Sequence, residues 1–242
     1  MKLNVRDITI TGVLSAISVL LAVTHLGFIP FVAGTAITVM HVPVIIGAIV
    51  AGPTVGTIIG LIFGISSLIV AVVAPTGPGD VLFTDPWVSI FPRLFIGVVA
   101  WAVYGLVRAA GRVWAMVISG LILVAIVLAV AYLVGTSELP LAPVLGLAAG
   151  VLGLGLVAVA MYRAYQAHPE ALALSLAAIL GTLTNTVLVL GMLVLRGYIP
   201  GAMAVTIGVA NGPAEMLAAA LITVAVVATW QQIALRPGGS RV

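Results

Sequence analysis

Residues 87–108, WVSIFPRLFIGVVAWAVYGLVR, form one of eight long apolar runs in this chain. A helix needs about 20 such residues to cross the roughly 30 Å hydrocarbon core of a bilayer. Inside lipid, backbone N–H and C=O groups must find partners within the segment, which selects helices. The runs lie at about 8–29, 35–51, 54–73, 87–108, 113–134, 141–162, 170–195 and 204–229. Residues 1–242 are therefore expected to form a single all-α integral membrane domain with about eight transmembrane helices. Composition agrees: 63% of residues are hydrophobic and 6% charged, where a soluble domain carries roughly 25% charged residues.

Basic residues accumulate on the cytoplasmic side of membrane proteins. With the N-terminus inside and eight crossings, Lys2, Arg6, Arg108, Arg112, Arg163, Arg236 and Arg241 fall inside. Arg196 falls outside, with Asp80, Asp85 and Glu138, and Arg93 lies in the membrane. The expectation is a multi-pass protein of the cell (plasma) membrane with both termini cytoplasmic. Lys2 and Arg6 precede the first run as in a signal peptide, but the run exceeds the usual ~7–15-residue signal core and reads as a retained helix. The net charge of +3 comes from dispersed residues, not a basic cluster, so it does not indicate nucleic-acid binding. Cysteine is absent, which excludes disulfides and thiolate metal sites.

Helix starts support the segmentation. Asp85-Pro86-Trp87 reads as an N-cap, a first-turn proline and an interfacial aromatic. His168-Pro169-Glu170 places a proline and an acid at the head of the seventh segment. The glycine-rich GLAAGVLGLG at 146–155 sits inside an apolar helix, so it is no dinucleotide loop. The longest outer connection, APTGPGDVLFTD at 74–85, is a lid or a simple connector.

Polar groups at membrane depth are costly and usually face protein or a wet cavity. Arg93 has no acidic residue within seven positions on either side. It lies seven residues after Pro86, roughly 10 Å below the helix start. It could snorkel outward. Ser89, Gly97 and Ala100 on its face favour packing against protein instead, and Pro92 frees a carbonyl near its level. Glu215 shares a small, polar stripe with Gly208, Asn211, Gly212, Ala218 and Ala219. It reads as an ion-pair partner of Arg93, a ligand contact or a protonatable group. Asn185 suits an interhelical hydrogen bond or a ligand. His41, ahead of Pro43 and expected a few residues below the outer surface, is a packing residue or a ligand contact. Together with Trp87 and Asn211, these residues are the candidate substrate contacts of one outward-facing polar cavity.

There is no GxxxxGK[ST] phosphate loop and no HExxH. Ser66 and Ser67 have no nearby base to activate them. No catalytic residue, metal ligand or cofactor is expected, and the chain reads as a transport or binding subunit rather than an enzyme. On the first segment, Gly12 with Ala16 and Ser18 with Ala22 place small residues four apart. Such spacing suits a close helix contact within the protein or with a partner subunit.

Five stretches, ITITGVLSAISVLLA, MHVPVIIGAIVAGPTVGTIIGLIFGISSLI, DPWVSIFPRLFIGVVAWAVYGLVR, LAAILGTLTNTVLVLGMLVL and NGPAEMLAAALI, resemble the substrate-binding S components of energy-coupling factor (ECF) transporters. They occur in family order over roughly 180 residues, within the group that includes riboflavin and pantothenate carriers. The resemblance implies a membrane-embedded, high-affinity vitamin-binding subunit. It implies a transmembrane coupling subunit and two cytoplasmic ATPase subunits as partners, which would supply the energy. It further implies outer loops at about 28–36 and 74–86 that close over the substrate, and a first helix that contacts the coupling subunit through Gly12/Ala16 and Ser18/Ala22 in place of the family's paired alanines. The family core has six helices, so the segments at about 113–162 are expected to be an inserted helical hairpin. Arg93 suits a carboxylate or phosphate, which favours pantothenate slightly over riboflavin, and few aromatics are at hand to stack a flavin. The competing reading is an autonomous proton-coupled secondary transporter of a small solute, using Glu215.

Overall fold

The computed structural model describes residues 4–30, 36–75, 77, 79–136, 141–166 and 169–234. Helix α1 (Val5–Val23) starts at a reciprocal cap, in which the Asn4 side chain accepts from the Asp7 N–H at 2.8 Å and Asp7 accepts from the Asn4 N–H at 3.3 Å. It ends ahead of His25, whose φ of 56° turns the chain out of the helix. A short antiparallel hairpin follows, β1 (Phe28–Pro30) paired with β2 (Ala36–Thr38). This is the one departure from the all-helical expectation among the described residues.

The second apolar run becomes helix only at α2 (Val42–Ala51), not from residue 35. Pro43 sets the start, because its missing N–H and ring confine it to a first helical turn. Gly52, with φ of 94°, makes the tight turn into α3 (Pro53–Val73). Ala48 faces Gly56 and Val44 faces Gly60, so α2 and α3 run antiparallel from that turn. At 1.5 Å per residue α2 rises only ~15 Å while α3 rises ~31 Å. His41, at the free end of α2, therefore stands about halfway along α3, deeper than the sequence suggested. The hairpin and α2 together take the place of the expected second spanning helix. Residues Val42 to Ala48 are all buried, which makes α2 the centre of the core.

A 3-10 turn (Asp80–Thr84) leads to α4 (Pro86–Ser89) and α5 (Phe91–Ala109). Asp85 caps α4 through the Trp87 N–H at 3.0 Å, as Asp-Pro-Trp predicts. What reads as one segment in sequence is broken at Ile90, ahead of Pro92. Helices α6 (Gly111–Gly135) and α7 (Ala142–Gln166) pack chiefly on each other. Gly146 and Gly153 of the glycine-rich stretch press against Gly135 and Val127 of α6, so those glycines serve helix packing. Helix α8 (Pro169–Leu195) packs against both α5 and α9 (Gly201–Ala234).

Among the described residues six helical segments are long and apolar enough to cross a membrane: Val5–Val23, Pro53–Val73, Pro86–Ala109, Val113–Gly135, Glu170–Leu195 and Gly201–Trp230. Val42–Ala51 and Pro143–Leu156 are shorter apolar stretches.

The α3–α5 contact fixes the height of Arg93. Gly56, Gly60 and Gly64 lie four apart on α3 and face Gly97, the Arg93 carbonyl and the Ser89–Ile90 backbone of the α4–α5 segment. No side chain separates the two backbones at these points, which is the close approach that small residues at this spacing allow.

Candidate functional site

Four of the six candidate contacts are buried: His41 (0% exposed), Arg93 (4%), Glu215 (6%) and Asn185 (7%). Asn211 is half-buried. Trp87 is 56% exposed and lies tilted against Phe91 at 5.7 Å; Phe91 in turn meets Phe95 edgewise at 5.0 Å. Trp87 is thus a largely exposed aromatic in the first turn of α4.

Arg93 Nη1 donates to the Val88 carbonyl. In a continuous helix that carbonyl would accept from residue 92, but residue 92 is proline and has no N–H. The guanidinium thus completes the backbone that its own neighbour leaves open. The Phe63 and Phe83 rings flank it, with centroids 5.3 and 5.4 Å from Cζ. These are cation–π distances. Arg93 Nε is buried without a hydrogen-bond partner. Arg93 forms no ion pair among the described residues; those present join Arg108 to Glu170 and Arg196 to Asp85. An Arg93–Glu215 pair is therefore absent. Arg93 lies on α5, Glu215 on α9, and α8 packs against both helices.

Glu215 instead meets the hairpin. The Thr38 N–H of β2 donates to Glu215 Oε1 at 2.8 Å. The Thr186 hydroxyl of α8 lies 3.4 Å from Glu215 Oε2 and 3.2 Å from the Thr182 carbonyl, and its single proton serves one of them at a time. One turn along α8, Thr182 Oγ1 donates to the Ala178 carbonyl at 2.8 Å and lies 2.9 Å from His41 Nε2. With the hydroxyl proton on the Ala178 carbonyl, His41 donates through Nε2–H and Nδ1 is a buried acceptor without a partner. Thr38, His41, Thr182, Thr186 and Glu215 thus form one polar belt joining the hairpin, α2, α8 and α9. Asn185, one turn from Thr182 on α8, has a buried Oδ1 without a partner, as does Asn211 on α9.

His41, Arg93, Asn185 and Asn211 each carry a buried polar atom without a hydrogen-bond partner, as do Ser15, Ser18 and Thr223, whereas buried polar groups are ordinarily paired. Gly60 links two of them, with the Arg93 backbone and Val44, three residues after His41, both against it. A separate cavity of about 650 Å3 lies between α6, α8 and α9 and includes Ile126, Thr186, Leu190, Val205, Gly208 and Met216 in its walls. It contains none of the six candidate residues.

Sequence reasoning passed over Thr182 and Thr186, although GTLTNTV carries four polar residues within two turns at membrane depth. It also passed over Phe63 and Phe83, which nothing in the local sequence distinguishes. At the end of the molecule that carries the α3–α4 and α8–α9 connections, Asp85 accepts from Arg196 Nε at 2.7 Å and from the Tyr198 hydroxyl at 3.1 Å. The Trp87 N–H first, with Arg196 and Tyr198, holds the Asp85 carboxyl below its ordinary value against partial desolvation. Its stabilising contribution is then fully present above the unfolded carboxylate value of ~3.9 and is lost as pH falls through the lower folded value. Thermal unfolding should therefore lose more stability between about pH 5 and pH 3 in the wild type than in Asp85→Asn. Equal losses would remove Asp85 as the titrating group.

On α1, Gly12 and Ala16 are exposed, and a Cβ on Gly12 would meet nothing within 4 Å. Ser18 (0% exposed) and Ala22 (2%) turn inward. Only the first small-residue pair is therefore open to another protein; the second is used within the bundle.

The sequence model of the family described as "ECF transporter, substrate-specific component" matches residues 6–146. The chain is also 32% identical over 81 residues to the pantothenic acid transporter PanT of Lactococcus lactis subsp. cremoris (strain MG1363). That match covers 28% of this chain and 41% of the relative, so the chain spans about two fifths of the curated protein it resembles.

Proposed function

Since the chain belongs to the substrate-specific components of ECF transporters, we propose that it is the high-affinity binding subunit for uptake of a carboxylate-bearing vitamin, pantothenate ahead of riboflavin. The observation that carries this reading is Arg93: a buried guanidinium with no anionic partner among the described residues and an Nε without an acceptor. Burying a cation without an opposite charge is costly. A substrate carboxylate would supply both the charge and the acceptor. His41 Nδ1, Asn185 and Asn211 would take the hydroxyl and amide groups of the same molecule. The printed name of the Lactococcus relative supports pantothenate. The Phe63 and Phe83 rings flank Arg93, an arrangement that favours holding a cation and its carboxylate over stacking a flavin.

Transport would be energised by a separate coupling subunit and two ATPase subunits. The exposed Gly12/Ala16 face of α1 is the surface we assign to the coupling subunit. Both termini are placed in the cytoplasm, so Asp85 and Arg196, which lie together, face outward. The α6–α7 pair is read as an insertion between the family's fourth and fifth helices.

Calorimetric titration of the purified protein in lipid nanodiscs with pantothenate and with riboflavin tests the substrate. Sub-micromolar binding of pantothenate with none of riboflavin is expected, the ~8 kcal/mol or more that a dedicated uptake subunit needs. Binding of riboflavin alone would overturn the carboxylate assignment. Uptake into liposomes without ATPase subunits, abolished by Glu215→Gln, would establish secondary transport in its place.

A further inference from the structure

We infer that Glu215 is the catch that fastens the β1–β2 hairpin to α9 over the site, a positioning residue rather than a substrate contact. Glu215 lies fourteen residues after Gly201, roughly 21 Å along α9. The backbone of β2 beside it is therefore non-helical chain deep in the protein. Such backbone is tolerated at membrane depth only where protein satisfies its polar groups. Within the hairpin β2 pairs with β1 alone, so its other edge presents N–H groups that need acceptors. The Thr38 N–H is such a donor, and Glu215 Oε1 at 2.8 Å is its acceptor.

Two further observations separate this role from ligand binding. The other carboxylate oxygen lies 3.4 Å from the Thr186 hydroxyl, which serves it in alternation with the Thr182 carbonyl. Neither oxygen of Glu215 is among the buried polar atoms without a hydrogen-bond partner, whereas His41, Arg93, Asn185 and Asn211 each contribute one. Thr38 lies three residues before His41, and Val39 N–H bonds the Gly27 carbonyl at 3.0 Å at the hairpin's base. Holding Thr38 thus sets the position of His41 and of the strand that closes the site beside it. What this role requires of residue 215 is an acceptor oxygen, not a charge.

The first test needs no substrate. In ligand-free wild-type protein, hydrogen exchange read by mass spectrometry should show the Thr38 amide protected, and Glu215→Ala should remove that protection. Glu215→Gln, which keeps an acceptor oxygen, should retain it. The second test uses pantothenate and rests on the binding reading above. Glu215→Ala should make association and dissociation both about tenfold faster, because the strand no longer has to open. Glu215→Gln should leave both rates within about twofold of wild type. Several outcomes overturn the inference: an unprotected Thr38 amide in the wild type, Glu215→Gln behaving as Glu215→Ala, or faster dissociation alone with Thr38 still protected. The last would make Glu215 a direct substrate contact. Failure of pantothenate to bind at all would sink the substrate assignment and leave the exchange result to decide the catch.

Discussion

Arg93→Ala will bind pantothenate at least about tenfold more weakly than the wild type, the loss expected when a charge-assisted hydrogen bond worth ~1.5–3 kcal/mol is removed. The guanidinium has two separable jobs, and the substitution removes both. One is local: Nη1 serves the Val88 carbonyl that Pro92 leaves open. Losing it leaves that buried carbonyl short of a partner, at a cost of about 1–3 kcal/mol of stability. The other is the unmatched Nε and the uncompensated charge between Phe63 and Phe83. Thermal unfolding without ligand reads the first job, and calorimetry with pantothenate reads the second. Arg93→Lys keeps the charge but not the planar fork that can hold Val88 and a carboxylate together. It should recover part of the affinity and little of the stability. A fall in stability with unchanged affinity would reduce Arg93 to a cap for the broken helix and send the substrate carboxylate elsewhere.

The spans were legible because hydrocarbon imposes one rule on every segment: long, apolar and internally hydrogen-bonded. Asp85-Pro86-Trp87 was legible for a similar reason, since a cap and a first-turn proline act within three residues. Residues 36–42 were not. A short apolar run carries no period that separates strand from helix; Pro30, Gly34 and Thr35 marked an irregular start, and Pro43 a late one. Burial of His41, Arg93, Asn185 and Glu215 followed from their cost in lipid, but their partners did not. Opposite charges suggested that Arg93 and Glu215 would meet, and charge says nothing about which helices adjoin. Helix α8 packs against both α5 and α9, so Glu215 finds a backbone N–H and Arg93 finds two rings and a carbonyl. His41 and Thr182 are 141 residues apart. No local pattern connects them, although the fold brings them to 2.9 Å.

Gly60→Ala will lower the unfolding temperature by roughly 5 °C or more, taking an overpacking cost of about 2 kcal/mol and a chain of this length. In an exposed helix the same change would stabilise by about 0.5–1 kcal/mol, because alanine restricts the unfolded chain and favours helix. Here the new Cβ would stand 2.2 Å from the Arg93 carbonyl oxygen and 3.1 Å from its carbonyl carbon. Those atoms are backbone, so no rotamer change relieves the overlap, and α3 and α5 must move apart. The contacts above and below would open with them, since Gly56 meets Gly97 and Gly64 meets Ile90 along the same seam. Arg93 rides on that seam, so pantothenate affinity should fall together with stability, unlike the divided response expected of Arg93→Lys. Gly12→Ala on α1 is the matched control, with nothing within 4 Å of the added carbon. It should leave the unfolding temperature of the isolated subunit within about 1 °C of wild type or slightly higher. If Gly12 carries the coupling-subunit contact, Gly12→Leu should spare folding and pantothenate binding and still prevent assembly of the complex. If Gly60→Ala melts with the wild type, α3 and α5 do not meet backbone to backbone at Arg93, and the height assigned to the guanidinium must be withdrawn with that contact.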